Sequence, residues 1–323
     1  MTGEGGGRQA TASRLDTLAA VRAIGNTPLL RLTNLERHLG LPERVELWLK
    51  AEWTNPGGSV KDRPALAIVR EALESGQLGR GQTLIDATSG NTGIAYAMLG
   101  AAIGFPVTLV VPGSASEERK QILAAYGATV IESDPYDGSN GAIRHVRELV
   151  ANAGDAGRFF YADQYRNPAN PEAHYQTTGP EVWGQTGGRI THFVAGLGTT
   201  GTLMGTGRFL KEMSPVVELV AVQPSDAFHG LDGLKHMPTA IVPTIYDPAF
   251  PDRQLTADTG EAFDLVRLLA RIEGLFAGTS TGAALSGATA VAREAAELGR
   301  PAVIVALAPD GGAKYLSTAL WES

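Results

Sequence analysis

The chain has 323 residues, enough for two domains of ordinary size, with 40 glycines, 7% aromatic and 43% hydrophobic residues; this balance suits a compact α/β protein rich in tight turns. Net charge is −7 with the two signs interspersed, which excludes a basic stripe for nucleic acid and a polybasic segment for anionic lipid, and leaves a small metabolite as the expected partner. The absence of cysteine excludes disulfides, thiolate metal sites and thiol nucleophiles.

The opening MTGEGGGRQATAS lacks the apolar core of a signal peptide, and residues 1–12 read as a flexible tail. No run reaches the apolar length of a membrane span, so the expected location is the cytoplasm. Next in chain order comes NPGGSVKDR (55–63), which sets Lys61 at the mouth of a predicted helix. A helix amino terminus carries partial positive charge, so a cation there is badly placed unless something else holds it. Short apolar runs follow at TLIDA (83–87), VTLVV (107–111), ATVIE (128–132) and FFYAD (159–163), with helices predicted to start near Asn91, Ser114 and Ser139. Ser114 and Glu117 stand at capping-box spacing. Strand and helix in strict alternation imply right-handed crossovers and a parallel sheet. A second block of the same design holds ITHFVAG (190–196), VVELVAV (216–222), helical patterns over 259–273 and 281–298, and the strand AVIVAL (302–307). Residues 223–258, rich in Pro, Asp and Gly, read as one long connection.

Three turns carry small residues and hydroxyls at helix starts. ATSGNTG (87–93) exposes backbone N–H groups beside Thr88, Ser89 and Thr92; such a turn is an anion nest or an ordinary capped turn. GLGTTG (196–201) is literally G-x-G-x-x-G between a strand and a helix, yet the acid expected to end the next strand is replaced by Gln223-Pro224-Ser225. A phosphate-only loop explains the same glycines together with Thr199, Thr200 and Thr202. GTSTG (278–282) is the third turn. The six histidines show no metal spacing, so they take structural or loop roles by default, with His174 and His229 the least settled.

Together these segments resemble the fold type II family of pyridoxal-phosphate enzymes, and within it the cysteine synthases (O-acetylserine and O-phosphoserine sulfhydrylases). The resemblance runs in order through IGNTPLLRL (24–32), NPGGSVKDR, TSGNTG, QYRNPAN (164–170), HYQTTGPEVW (174–183), GLGTTGTLMG (196–205), GTSTGAAL (278–285) and PDGGAKYLS (309–317). It implies an α/β fold of two domains, each a mainly parallel twisted sheet flanked by helices, similar to the tryptophan synthase β subunit. Residues 13–55 plus 164–323 would form a larger cofactor-binding domain and 56–163 a smaller, mobile one that closes over substrate.

By the same resemblance Lys61 forms the Schiff base with pyridoxal 5'-phosphate. Gly198, Thr199, Thr200, Gly201 and Thr202 hold the cofactor phosphate, Asn91 bonds the ring hydroxyl, and Ser280 faces the pyridine nitrogen. Thr88, Ser89, Thr92 and Gln164 match the positions that grip the substrate carboxylate. The implied reaction is β-replacement on an O-activated serine, O-acetylserine by default, with sulfide or thiosulfate giving L-cysteine in a homodimeric enzyme. An O-phosphoserine donor or another β-substituted alanine product remains open. The donor question turns on VQPSDAFHGLDGLKHMPTAIVP (222–243): in a phosphoserine-using relative an arginine shortly after the proline of this segment reads the donor phosphate, and Ser225 stands at about that place. His229, Lys235 and His236 are cations later in the same loop that could reach a dianion, or could simply face solvent. A nucleotide-dependent oxidoreductase built on GLGTTG leaves Lys61 and TSGNTG unexplained, and a third reading is a binding module without catalysis that uses the same turns to hold a phosphorylated metabolite.

Overall fold

The computed structural model describes residues 15–88, 90–153 and 157–322; the expected tail, 1–12, lies outside them. The strands are β1 (Leu29–Arg31), β2 (Val45–Ala51), β3 (Thr83–Ala87), β4 (Val107–Pro112), β5 (Thr129–Ser133), β6 (Phe159–Tyr161), β7 (His192–Gly196), β8 (Glu218–Pro224), β9 (Arg253–Ala257) and β10 (Ala302–Ala308). They fall into two compact units.

The first unit takes residues 15–24, 55–57 and 61–170. Its sheet is wholly parallel, in the order β5-β4-β3-β6. Parallel pairing requires helical crossovers, and helices Asn91–Ile103, Glu117–Ala125 and Gly138–Asn152 supply them. The helix Asn91–Ile103 reads NTGIAYAMLGAAI, without a charged residue, and is buried over most of its length. An all-round apolar helix belongs inside. It packs with Leu84, Leu109 and Val111 of the sheet and with Ile68, Val69 and Ala72 of helix Asp62–Ser75. The helix predicted from Ser114 begins instead at Glu117, with Ser116 at the N-cap and no side-chain cap bond, so the Ser114/Glu117 capping box does not form.

The second unit takes residues 25–54, 58–60 and 171–323. Its six strands run β1-β2-β10-β7-β8-β9, all parallel except β1 against β2. Strand alternation sends Val194, Val220 and Ile304 to one face, under helices Thr259–Glu273 and Thr279–Glu297, and Phe193, Leu219 and Val305 to the other, under Gly201–Met213. The central strand β10 is buried at every position, as expected of a parallel strand covered on both faces. Within the predicted long connection 223–258 lies β9, a half-exposed edge strand paired with β8. The first unit also takes in residues 15–24 and 164–170, beyond the expected smaller domain of 56–163.

In the second unit the loop of IGNTPLLRL is fastened by a buried lysine. Lys50 Nζ donates to Thr27 O at 2.6 Å, Glu181 Oε2 at 2.6 Å and Gln185 Oε1 at 2.8 Å, so each of its three protons has an acceptor. Glu181 Oε1 accepts the N–H of Asn26, whose φ is +49°. Lys50→Met leaves that carboxylate without its ammonium and is expected to cost about 3 kcal/mol or more. Urea unfolding checks it, and adding Glu181→Gln should lose less than the two single changes summed.

Candidate active site

In the first unit, β3 and β6 lie side by side and end in the same direction, which places two loops at one sheet edge. The loop after β3 carries Thr88 and Asn91, and the loop after β6 carries Gln164. Ser89 lies outside the described residues. Thr88 Oγ1 accepts the N–H groups of Gly90 at 3.0 Å and Gly93 at 3.1 Å, so the turn is braced by its own hydroxyl. Thr92 Oγ1 donates to Gln164 Oε1 at 2.7 Å, and Gln164 Nε2 donates to Ala87 O at 2.7 Å. The structure thus brings Thr88, Thr92 and Gln164 together, beside the helix start that bears Asn91. Lys61 is the N-cap of helix Asp62–Ser75. Asp62 turns its Oδ2 to the Gly57 N–H at 2.6 Å, which ties the glycine-rich strap back onto the helix start.

Beneath this turn sits a group the motifs did not single out. Asp86 is fully buried; its Oδ1 accepts the Ala87 N–H at 2.8 Å and its Oδ2 the Gln164 N–H at 3.3 Å. Burial outweighs these two bonds and pushes the carboxyl up to about 8. An acid one residue before the end of a strand that feeds such a turn was the signal available in the sequence.

In the second unit β7 feeds the loop of GLGTTG, which turns into helix Gly201–Met213. Thr199, Thr200 and Thr202 are buried there. A side chain at Gly198 would collide with the Gly233 carbonyl, so only glycine admits that approach. The backbone N–H of Lys235 donates to Leu197 O at 2.8 Å, which lays the 231–235 segment along the same loop. Lys235 is itself buried, and burial holds its ammonium down to about 8; it does not face solvent. His229 is no cation here: burial pushes its imidazole down, and Nδ1 accepts the Leu231 N–H. His174 is buried between two hydroxyls, with Nδ1 2.9 Å from Thr178 Oγ1 and Nε2 3.3 Å from Thr202 Oγ1. Its link to the loop depends on tertiary packing that spacing does not reveal. Ser280 is buried in the first turn of helix Thr279–Glu297.

The second unit fits a phosphorylated cofactor on its own chemistry. Thr200 Oγ1 is buried with no hydrogen-bond partner among the described residues, at the amino terminus of a 13-residue helix whose first N–H groups favour an anion. The same holds for Thr279 Oγ1 and Thr281 Oγ1 on either side of Ser280. Residues 21–310 match the family described as pyridoxal-phosphate dependent enzyme. The chain belongs to this family. A cysteine synthase of Aquifex aeolicus (strain VF5) is 51% identical over 94% of this chain and 91% of its own. The cysteine synthase B of Escherichia coli (strain K12) is 43% identical over 93% and 95%. Among solved structures, an O-ureido-L-serine synthase aligns with a TM-score of 0.85 at 39% identity, covering 94% of this chain and 95% of that one. A cysteine synthase from Entamoeba histolytica aligns at 0.87 and 32%, covering 94% and 90%. The pyridoxal-phosphate family, and with it the fold type II architecture, replaces the dinucleotide reading of GLGTTG, whose following strand β8 ends on Gln223 and Pro224 without an acid.

The buried Asp86 gives the fold a pH signature. Folded, it keeps its proton up to about 8, whereas the unfolded chain releases it near the ordinary 3.8. Between those values the native state binds more protons, so raising pH favours unfolding. Wild type is therefore expected to lose stability relative to Asp86→Asn as pH rises through that window, read from urea midpoints at a series of pH values.

Proposed function

We propose that this pyridoxal-phosphate enzyme makes L-cysteine by β-replacement on O-acetylserine, with sulfide or thiosulfate as the sulfur donor. Its near-full-length similarity to cysteine synthases carries the reading, and the two braced turns support it. When bound, pyridoxal phosphate supplies an aldehyde that links reversibly to amines and a ring that draws electrons from the α carbon of the amino acid. Lys61 Nζ is the amine that would hold the aldehyde end and, once free, would serve as the base and acid for the proton at the α carbon. Gly198, Thr199, Thr200, Gly201 and Thr202 would hold the phosphate at the start of their helix, and Asn91 would donate to the ring hydroxyl. Ser280 would face the pyridine nitrogen with a neutral hydroxyl, which would keep the ring a moderate electron sink and favour loss of a β substituent over transamination. Thr88, Ser89, Thr92 and Gln164 hold the substrate carboxylate, and the Gln164 bridge between Ala87 O and Thr92 fixes where it sits. The homodimer and the cytoplasmic location belong to this reading too; light scattering on the purified protein tests the first.

A titration of the yellow protein with O-acetylserine and, separately, O-phosphoserine tests the donor. The cofactor band is expected to change at far lower O-acetylserine concentration and to recover on adding sulfide. Silence with both donors would overturn the reading. Lys61→Ala should remove the visible band altogether, and a persistent band would sink the role given to Lys61.

One observation favours an anionic donor as a second reading: Lys235, buried, lies on the chain that lines the GLGTTG loop. If it reads a phosphoryl group, O-phosphoserine should bind well only below about pH 8, where the ammonium is charged. Lys235→Met should then weaken O-phosphoserine binding about tenfold or more and leave O-acetylserine unchanged, since a buried charge-assisted contact is worth about 1.5–3 kcal/mol. Equal loss with both donors would assign Lys235 to packing.

A further inference from the structure

PDGGAKYLS carries no role in the reaction as described, yet in the second unit it joins two segments that do. Ser59 forms an antiparallel bridge with Asp310, and the Val60 N–H donates to Pro309 O at 2.8 Å. On the opposite edge Ala277 bridges Gly311, the Gly278 N–H donates to Asp310 O at 3.0 Å, and the Gly312 N–H to Phe276 O at 3.0 Å. Residues 309–312 therefore act as a short central strand. The segment 58–60 on one edge runs directly into Lys61, and 276–278 on the other runs directly into the helix that bears Ser280.

Side chains close this clip. Lys314, 8% exposed, donates from Nζ to Gly58 O at 3.1 Å. Tyr315 donates its hydroxyl to Asp310 Oδ2 at 2.7 Å, and Val60 is buried in the core beside Phe193 and Leu307. Gly58 stands at φ +73°, and an added Cβ would come within 3.2 Å of Lys314 Nζ. Two adjacent glycines would otherwise leave this strap free to sample many conformations. Burying an ammonium is costly, and one of its bonds goes to the carbonyl three residues before the amine that must find an aldehyde.

We propose that Lys314 is a positioning residue for Lys61: by holding the Gly58 carbonyl it fixes the strap 58–60 against 309–310, and so the point from which the reactive lysine departs. This rests on the role given to Lys61 above. Holding a reactant in place lowers the entropy lost when it reacts, so the clip should show in the rate at which Lys61 links to the cofactor rather than in phosphate binding.

The test adds pyridoxal phosphate to apoprotein and follows three quantities in wild type, Lys314→Met and Lys314→Arg. These are the growth of the visible band, the cofactor adduct on the Lys61 peptide after borohydride reduction, and hydrogen exchange at the Val60 amide without cofactor. Lys314→Met is expected to slow band growth about tenfold, equivalent to 1.36 kcal/mol, and to speed Val60 exchange by a similar factor. Initial non-covalent capture, read by fluorescence quenching, should stay unchanged, and Lys314→Arg should restore both rates. Should Lys314→Met fail to fold, Lys314→Gln, which keeps a donor of shorter reach, is read by the same rates. Wild-type rates in Lys314→Met or Lys314→Gln with the adduct still on Lys61 would overturn this proposal alone. An adduct on another lysine in wild type would overturn the Lys61 reading and this proposal with it.

Discussion

Parallel pairing is the constraint from which the loops of each unit follow. Strands that run the same way end at the same edge of their sheet, so the loops that leave them gather there. In the first unit the edge belongs to β3 and β6, and Gln164, carried after β6, reaches back to the Ala87 carbonyl at the end of β3. In the second unit β10, β7 and β8 are neighbours, and the segments that leave them are 309–315, 197–201 and the stretch leading to Lys235. Each of these turns opens a helix or packs against one that does, so backbone N–H groups and hydroxyls are concentrated where the strands stop. A site for anionic groups then requires little beyond small residues at the turns.

Charge burial marks the same places. Lysine and aspartate are seldom buried, and Lys50, Asp86, Lys235 and Lys314 are all buried. Their environments differ in kind. Lys50 has an acceptor for every proton, a carboxylate among them, and serves to hold the loop at Asn26 and Thr27. Asp86 accepts two backbone N–H bonds, but desolvation dominates and the neutral acid is favoured at pH 7. Lys235 shows the mirror image, with its ammonium disfavoured by burial. The two shifted groups lie directly beneath or beside a proposed binding turn, whereas the saturated one lies on a structural loop. Perturbed titration in a site and full pairing in a scaffold are what the two tasks require.

How far the sequence could be read followed the same physics. The strand TLIDA matches β3 residue for residue, and the helix over 259–273 is observed as Thr259–Glu273, because buried parallel strands and long amphipathic helices declare themselves by local pattern. The edge strand β9 was hidden in the stretch 223–258: RQLTA is polar, half exposed and stabilised by pairing with β8 rather than by its own composition. The capping box at Ser114 does not form because the helix begins at Glu117, with Ser116 rather than Ser114 at the N-cap. The small-residue turns could be found from spacing. The contacts beneath them, Asp86 under Gln164 and His174 against Thr202, join residues 78 and 28 positions apart, which spacing does not reveal, although the place of Asp86 near its strand end was a local signal.

Thr200 shows most directly how local cost and function are joined. It stands in the GLGTTG loop at φ +71°. A residue with a Cβ gives up roughly 1–2 kcal/mol in that left-handed conformation, and a buried hydroxyl without a partner gives up about 1–3 kcal/mol more. Glycine would relieve both costs, whereas serine would keep both its Cβ and its hydroxyl. A phosphate oxygen accepting from Thr200 Oγ1 would offset the second cost, and the helix start supplies the field that draws the phosphate in. If this loop holds the cofactor phosphate as proposed, the binding energy would offset part of this local cost and appear as stability of the fold. Glycine at the same place would remove the strain and the hydroxyl together, giving a more stable empty loop with a weaker hold on phosphate.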